Sequence, residues 1–340
     1  MRALVVHGPG DVRVDERPDP VAGPGQVLVA VEWGGVCGSD LAYWRHGASG
    51  TAVLRRPLVL GHEVAGRVAA LGPGVTGVEP GTPVTVHPAT PEGDLPERLA
   101  GRDNLNTRVR YLGSAAFDPH TDGGFADLVA VRADQVRVLP AGVGTRLGAL
   151  AEPLAVALHA VRRAGEVAGR TVLVNGAGPI GCLVVAAARS AGAARVVVAD
   201  IAPEPLAVAR ALGADEARDL GSGDALPEDV EVVFEASGVP AALGPVLRAT
   251  ARGGTLVQVG NLPGGSARAV LGDLVTREIT WVGSYRFVDE VTDAVRALGA
   301  GLDLAPLVSG EFDLADGVAA LERAAGPGGG KVLIRLGGAA

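Results

Sequence analysis

A glycine-rich run placed between a strand pattern and a helix pattern constrains the fold of this chain more than any other feature. The run is Gly176-Ala177-Gly178-Pro179-Ile180-Gly181. The preceding TVLVN is typical of a buried strand, and the apolar residues that follow are typical of a helix. The first two glycines permit a tight turn and close approach of a pyrophosphate, and the third permits helix–strand packing. Because free N–H groups at a helix N-terminus suit phosphate oxygens, the run predicts a dinucleotide-binding βαβ unit.

An acidic residue follows at the distance that such a unit requires. Asp200 ends the next strand pattern, RVVVAD, 19 residues after Gly181. A carboxylate there can accept hydrogen bonds from both ribose hydroxyls, although it could instead cap the following helix. The next residues, from Ile201 to Glu204, include no cation for a 2′-phosphate. The pattern therefore favours NAD over NADP.

The pattern of apolar residues, Gly and Pro changes along the chain and predicts two domains. Up to about residue 145, short alternating runs such as Val27, Val29 and Val31 are separated by Gly and Pro, which indicates a β-rich barrel. From Thr171 onward strand and helix patterns alternate, which indicates a parallel sheet and an α/β fold. A final strand pattern, KVLIRL, could return to the first domain. A chain of 340 residues exceeds what one hydrophobic core usually serves.

Four residues in the first half form a candidate metal site. Cys37 lies in VCGSD, His62 and Glu63 lie in LGHE, and Glu152 lies in AEPLAVALHA. A catalytic zinc keeps about three protein ligands, and one Cys, one His and one carboxylate would supply them. Glu63 and Glu152 compete for the third position. A single Cys or His could equally be an ordinary core residue.

A metal and a dinucleotide together predict hydride transfer from an alcohol. Zinc lowers the pKa of a bound hydroxyl, and a nicotinamide accepts the hydride. The hydroxyl of Ser39, two residues after Cys37, could relay the proton, or could simply form a turn. Asp40 could accept a hydrogen bond from the ring of His62, or could cap a helix or turn.

The charge and cysteine content limit the partners. A net charge of −8 and a pI near 5.3 argue against a nucleic-acid partner. We find no apolar stretch near the roughly 20 residues that a membrane helix needs, and no apolar leader after Met1-Arg2. Two cysteines, Cys37 and Cys182, suit a reducing compartment. We expect a cytoplasmic protein that acts on small molecules.

Several segments together resemble one family, the zinc-dependent medium-chain alcohol and polyol dehydrogenases. These are VCGSD, PLVLGHE, DGGFADL, AEPLAVALHA, GAGPIG, VFEASG and VGSYRF, and the resemblance runs over nearly the whole chain. It implies a GroES-like catalytic domain of residues 1–153 and 285–340, with a Rossmann NAD-binding domain of residues 154–284 between them. It also implies a homotetramer or homodimer.

The resemblance also assigns residues. It implies that Cys37 and His62 ligate zinc, that Glu63 or Glu152 is the third ligand or holds its water, and that Ser39 relays the proton. It further implies that Tyr43 and Arg286 lie at the substrate cleft. The main chain near Val259 and Gly283 is implied to contact the nicotinamide.

The implied substrate is a secondary alcohol of a sugar acid or polyol, with L-idonate as the preferred candidate. An aldonate carboxylate should meet a cation, for which Arg45 and Arg286 are candidates, although Arg45 could be an ordinary surface charge. Within the same enzyme class, sorbitol, xylitol, an aminocyclitol and L-threonine stay open as substrates. From another class, the chain could be an inactive nucleotide-binding structural or sensor protein, which we would expect to have lost zinc ligands. A zinc-free quinone or enoyl reductase is disfavoured by GHE and CGSD.

Two departures from the family pattern matter. Many relatives hold a structural zinc with four cysteines, and the matching positions here are Glu92, Leu95, Arg98 and Asn106. We therefore expect a single, catalytic zinc. Ala42 stands where relatives commonly carry a His that ends the proton relay, so the relay could stop at ribose and water or use His46.

Overall fold

The computed structural model describes residues 1–337, and these divide into two compact units. The first unit contains Met1–Glu152, Val291–Pro327 and the described chain from Lys331, and the second contains Pro153–Glu290 and Gly328–Gly330. Residues 285–290 thus group with the second unit, whereas the sequence-based boundary assigned them to the first.

The N-terminal part of the chain is rich in short strands because its apolar residues alternate with polar ones and glycines interrupt them. The pattern is clearest in QVLVAV at the start of QVLVAVEWGG, where every second residue is buried. The elements up to residue 164 are β1 (Arg2–Gly8), β2 (Asp11–Glu16), β3 (Gln26–Gly35), α1 (Gly38–His46), β4 (Ala48–Ser49), β5 (Ala52–Val53), β6 (Leu58–Val59), β7 (Glu63–Leu71), β8 (Pro83–Val86), β9 (Ala89–Pro91), β10 (Val109–Tyr111), β11 (Leu128–Arg132), β12 (Val136–Val138), α2 (Thr145–Gly148) and α3 (Ala151–Ala164).

Strands and helices alternate from Thr171, as the sequence predicts. The elements from there to the C-terminus are β13 (Thr171–Asn175), α4 (Pro179–Ser190), β14 (Arg195–Asp200), α5 (Pro203–Ala211), β15 (Glu216–Asp219), β16 (Val230–Glu235), α6 (Leu243–Ala249), β17 (Thr250–Gln258), α7 (Gly272–Thr276), β18 (Thr280–Gly283), α8 (Glu290–Gly299), β19 (Val308–Asp313), α9 (Gly317–Ala325) and β20 (Lys331–Arg335). Within the described residues, no helix is both apolar enough and long enough for a bilayer crossing.

The largest sheet of the first unit joins the two ends of the chain. Its order is β12-β8-β7-β3-β20-β19, and β11 also pairs with β3. The final strand β20 runs antiparallel to β3 and parallel to β19, so KVLIRL does return to the first unit. Valines of β3 and β8 and residues of β20 fill the core of this unit. The arrangement brings the starts of β7 and β20 beside the end of β3.

The second unit is built on a parallel sheet with the order β15-β14-β13-β16-β17-β18. Its central strands are buried valine-rich runs, as expected when helices cover both faces of a sheet. In such a sheet, ligands bind beyond the carboxyl ends of the strands. The glycine-rich run follows β13 at that end.

Candidate functional site

Three of the predicted ligands come together in the first unit. One ligand atom each from Cys37, His62 and Glu63 lies within 4.8 Å of the other two. Cys37 caps α1, His62 precedes β7 and Glu63 begins β7. They meet because β3 pairs with β7, with Gly35 directly opposite Glu63. His62 and Glu63 are buried, and Cys37 is half-buried.

Two glycines make this close packing possible. A Cβ atom at Gly35 would lie 2.2 Å from Glu63 Oε2, so a side chain there would displace the carboxylate. Gly61 has a left-handed backbone with φ +95°, and a Cβ atom there would lie 2.2 Å from the ring of Phe125. Gly61 therefore sets the turn that presents His62.

A buried lysine holds Glu63. Lys331 Nζ donates to Glu63 Oε1 at 2.7 Å and to the carbonyl of Val36 at 3.1 Å, and both charged side chains are almost fully enclosed. Burial raises the pKa of Glu63 to about 7, although the charge of Lys331 opposes the increase. Sequence reasoning did not identify Lys331, although it is the only lysine in the chain and every other basic side chain apart from histidine is arginine. Its uniqueness was the available signal.

The second oxygen of Glu63 is free for a metal. Within residues 1–337, the buried Glu63 Oε2 has no hydrogen-bond partner. A buried carboxylate oxygen without a partner is costly, and a bound cation removes that cost. Together with Cys37 and His62 it offers sulfur, nitrogen and oxygen donors, a set that zinc accepts. The residues present therefore fit a zinc ion.

The electrostatics around His62 also suit a cation. Burial alone would lower the pKa of His62, but the charge and hydrogen bond of Cys37, with added charge from Asp40 and Glu152, raise it to about 10. The pocket thus stabilises positive charge at the imidazole. A metal ligand must be deprotonated, so a bound cation takes the place of this proton.

Glu152 lies beside the three-residue group and has its own partner. It is buried at the start of α3, and its Oε1 accepts a hydrogen bond of 2.6 Å from the hydroxyl of Tyr111. The ring of Tyr111 also meets the ring of His62 edge-on, with centroids 5.5 Å apart. Tyr111 was not identified from the sequence, since a tyrosine ending a three-residue strand carries no distinctive signal.

Asp40 caps α1, which was the second of the two contacts considered for it from the sequence; the other was a hydrogen bond from the His62 ring. Its Oδ2 accepts from the N–H of Cys37 at 2.9 Å, and its Oδ1 accepts from the N–H of Gly61 at 3.2 Å. The third residue of a helix can reach back to its N-cap, which explains the bond to Cys37. One fully buried carboxylate thus fastens both ligand-bearing segments.

The other candidates of the first unit lie on α1. Ser39 is half-buried in the first turn. Tyr43 is 2% exposed, and its hydroxyl accepts a hydrogen bond from the N–H of Ala115 at 2.9 Å, which leaves its own proton for donation. Arg45 is exposed, its guanidinium lies 5.8 Å from the ring centroid of Trp44, and it donates to the carbonyl of Ala325 at 3.5 Å.

The lobe formed by residues 88–110 contains Glu92, Leu95, Arg98 and Asn106, and the first and last of these make polar contacts. Asn106 Nδ2 donates to the carbonyl of Glu92 at 3.2 Å, and Asn106 Oδ1 accepts from the N–H of Arg108. The carboxylate of Glu92 accepts from Arg110 Nε at 2.7 Å. These contacts link the β9–β10 hairpin without cysteines.

In the second unit the glycine-rich run forms a compact turn between β13 and α4. Gly176 has φ +99°, and a Cβ atom there would lie 2.6 Å from Ser237 N. A Cβ atom at Gly181 would lie 1.8 Å from the carbonyl oxygen of Gly176. Gly178 is the N-cap of α4, and Pro179 and Ile180 form its first turn. The turn thus places a helix N-terminus where a diphosphate can bind.

Asp200 closes this turn from the neighbouring strand. Its Oδ2 accepts from the N–H of Ala177 at 2.6 Å, and its Oδ1 accepts from the N–H of Ala202 at 3.0 Å. Asp219 stands opposite it on β15. Two neighbouring carboxylates disfavour an additional negative group at this position.

The remaining cofactor and substrate candidates follow the last strands of the same sheet. The N–H of Val259 donates to the carbonyl of Glu235 at 2.9 Å, and the carbonyl of Gly283 accepts from Arg163 Nε at 3.1 Å. Arg286 has φ +52°, and its guanidinium lies 4.9 Å from the ring centroid of Tyr285.

Comparisons with known proteins cover both units. Residues 23–141 match the alcohol dehydrogenase GroES-like domain, and residues 179–300 match the zinc-binding dehydrogenase domain. The chain is 37% identical to an L-idonate 5-dehydrogenase (NAD(P)(+)) of Escherichia coli, over 93% of this chain and 92% of that one. It is 36% identical to the sorbitol dehydrogenase of Bos taurus, over 98% and 95%.

Solved structures agree with these matches. The crystal structure of L-idonate 5-dehydrogenase from Escherichia coli superimposes with a TM-score of 0.92 at 36% identity, over 98% of each chain. A chain from Sinorhizobium meliloti, described as a zinc-binding dehydrogenase and solved with NADP, gives a TM-score of 0.90 at 32% identity, again over 98% of each.

Proposed function

The chain belongs to the zinc-dependent medium-chain alcohol and polyol dehydrogenases, and from that premise we propose that it oxidises a secondary alcohol of L-idonate with NAD. The alcohol and NAD⁺ give a ketone, NADH and one proton. The observation that carries the proposal is the group of Cys37, His62 and Glu63, with an unpartnered buried oxygen, in a chain that also has a dinucleotide turn closed by Asp200.

The residues of the first unit account for activation of the alcohol. Cys37, His62 and Glu63 would hold the zinc, and Glu63 is the preferred third ligand because Glu152 is engaged with Tyr111. When bound, the ion lowers the pKa of an alcohol hydroxyl so that the proton leaves near neutral pH. In our proposal the hydroxyl of Ser39 relays that proton, accepting it while its own proton passes on to the ribose and water or to His46. Tyr43 can donate one hydrogen bond to substrate. We propose a single zinc per chain, since cysteines are absent from the four lobe positions.

The residues of the second unit account for NAD. Main-chain N–H groups of the turn from Gly176 to Gly181 bind the diphosphate, and Asp200 accepts hydrogen bonds from the ribose hydroxyls. Asp219 beside Asp200 opposes a 2′-phosphate, which supports NAD rather than NADP. The main chain at Val259 and Gly283 contacts the nicotinamide in this proposal.

A substrate panel tests the assignment. The two curated relatives above are nearly equally identical to the chain and carry different substrate names, so identity does not decide between them. We expect the highest kcat/KM for L-idonate with NAD, and lower values for sorbitol, xylitol, an aminocyclitol and L-threonine, read from the absorbance of NADH. A higher kcat/KM for a neutral polyol would make that polyol the assigned substrate in place of L-idonate. A preference for NADP over NAD would refute the proposed role of Asp200.

Arg45→Ala separates a sugar acid from a neutral polyol. If Arg45 meets the carboxylate of L-idonate, its loss should raise KM for L-idonate about tenfold, the size of a charge-assisted hydrogen bond. KM for sorbitol should stay unchanged. Arg296→Ala, at another exposed helix position, is the control and should change neither value. Equal changes for both substrates with Arg45→Ala would argue against carboxylate recognition by this residue.

The proposal extends to assembly and location. We propose a homotetramer or homodimer in the cytoplasm. Sedimentation velocity of the purified protein would distinguish these assemblies from a monomer.

A further inference from the structure

Glu235 is a fully buried carboxylate that the proposed reaction does not use. It ends β16 within VFEASG, and it pairs in register with Asn175 at the end of β13 and with Gln258 at the end of β17. Asn175 Nδ2 donates to Glu235 Oε1 at 3.4 Å, and Gln258 Nε2 donates to Oε2 at 2.5 Å. Three polar side chains therefore form a row across the carboxyl end of the sheet.

The same carboxylate also collects main-chain donors. Ser237 donates to Oε1 through its N–H at 2.9 Å and through its hydroxyl, and the N–H of Gly238 donates to Oε2 at 3.2 Å. The carbonyl of Glu235 accepts from Val259 at 2.9 Å and from Gly260 at 2.8 Å. Among the described residues, every hydrogen-bond donor to this carboxylate is a neutral amide or hydroxyl. Through its carboxylate and its carbonyl, Glu235 thus accepts hydrogen bonds from two segments, residues 237–238 and residues 258–260.

The loop of residues 236–238 packs directly against the dinucleotide turn from Gly176 to Gly181. A Cβ atom at Gly176 would lie 2.6 Å from Ser237 N and 2.9 Å from the carbonyl carbon of Ala236. The N–H of Ala236 donates to the carbonyl of Asn175 at 2.8 Å. Since no space separates the two backbones, a shift of Ser237 must shift Gly176.

We propose that Glu235 is a positioning residue for the dinucleotide, holding the backbone behind the turn from Gly176 to Gly181. It acts through residues 236–238 on one side and through the side chain of Gln258 on the other, without touching the cofactor. Without its oxygens, the amide of the buried Asn175 would lose its acceptor, and the N–H groups of Ser237 and Gly238 would lose the bonds that fix their loop, so the loop would rearrange. The inference rests on the proposed nicotinamide chemistry, and it adds a determinant of cofactor affinity.

Fluorescence titration with NADH tests the proposal on the zinc-loaded protein. Glu235→Ala should raise Kd for NADH about tenfold, the size expected when one or two buried donors lose their acceptor. KM for NAD should rise in parallel, while KM for the alcohol and zinc content stay at wild-type values. A general loss of folding would instead alter all of these together.

Asp215→Asn is the matched control. Asp215 Oδ2 accepts from the N–H of Val196 at 2.7 Å at the amino end of β14, the opposite end of the same sheet. We expect its Kd for NADH to equal the wild-type value. A wild-type Kd in Glu235→Ala, or equal increases in Glu235→Ala and Asp215→Asn, would overturn the inference. If the wild-type protein failed to bind NADH, the proposed function itself would be refuted.

Glu235→Gln provides the conservative test. It keeps one acceptor oxygen, and Gln258 can turn its amide toward the new N–H₂ group, because Gln258 Oε1 has no partner within the described chain. Kd should therefore stay within about threefold of wild type. A Glu235→Gln protein that binds NADH as weakly as Glu235→Ala would contradict the proposal. If Glu235→Ala does not fold, Glu235→Gln combined with Gln258→Met should give the tenfold rise, and no rise would overturn it.

Discussion

Cys37→Ala should release zinc and reduce kcat/KM by more than about a hundredfold, because even changes outside the ligand shell of a metal cost about 10–100-fold. The thiolate is the soft donor of the group and contributes the charge that holds a proton, or a cation, at His62. Metal analysis should give one zinc per wild-type chain and none in the variant. Activity and metal content should fall together.

Cys182→Ala is the matched control for this result. Cys182 is the other cysteine of the chain, is buried in α4 and directs its Sγ toward the carbonyl of Ala177. It should keep its zinc and its activity. Two zinc ions per wild-type chain would refute the single-site proposal, and full zinc in Cys37→Ala would refute the ligand assignment.

Lys331→Met should lower the free energy of unfolding by about 3–5 kcal/mol, since removing one partner of a buried ion pair leaves the other charge poorly compensated. The carboxylate of Glu63 would lose its directly bonded cation, and only the imidazole of His62 would oppose its charge. Urea denaturation of the metal-free protein measures the loss without a contribution from zinc binding. Activity should fall as well, because Glu63 would lose the contact that fixes its orientation.

Two further variants isolate the cause. Arg335 lies on the same strand as Lys331 and forms an ion pair with Asp313 of β19, in which both side chains are more than half exposed. Arg335→Met breaks this pair and should leave stability nearly unchanged. Adding Glu63→Gln to Lys331→Met removes the buried charge and should recover most of the lost stability without restoring activity. If Lys331→Met were as stable as Arg335→Met, the buried pair would have no structural role.

The structural features that depend on neighbouring residues were predictable from the sequence, and the predicted fold class is confirmed. A glycine-rich turn between a strand and a helix is a short-range pattern, so its position, the parallel sheet and Asp200 followed from neighbouring residues. Cys37, His62 and Glu63 could be proposed together through donor chemistry and the family resemblance. Their convergence depends on the pairing of β3 with β7.

The supporting residues were not predictable in the same way. Lys331 lies 268 positions from Glu63, and Tyr111 lies 41 positions from Glu152, so only the assembled sheet and lobe reveal these contacts. For Asp40 the sequence offered a bond from the His62 ring or a helix cap and could not choose the cap, because donor spacing alone does not show whether a carboxylate faces a ring or the main chain. The roles of Tyr43, Arg45 and Arg286 stay predictions.

The single lysine has a consequence for the chemistry of the protein surface. Because Lys331 is enclosed and all 29 other cationic side chains of the Lys and Arg class are guanidinium groups, the folded chain presents no side-chain amine to acylating reagents over the residues described. Guanidinium groups stay protonated and resist acylation. Acetylation or ubiquitination of a lysine would thus require β20 to detach first, so such a modification would report opening of the fold.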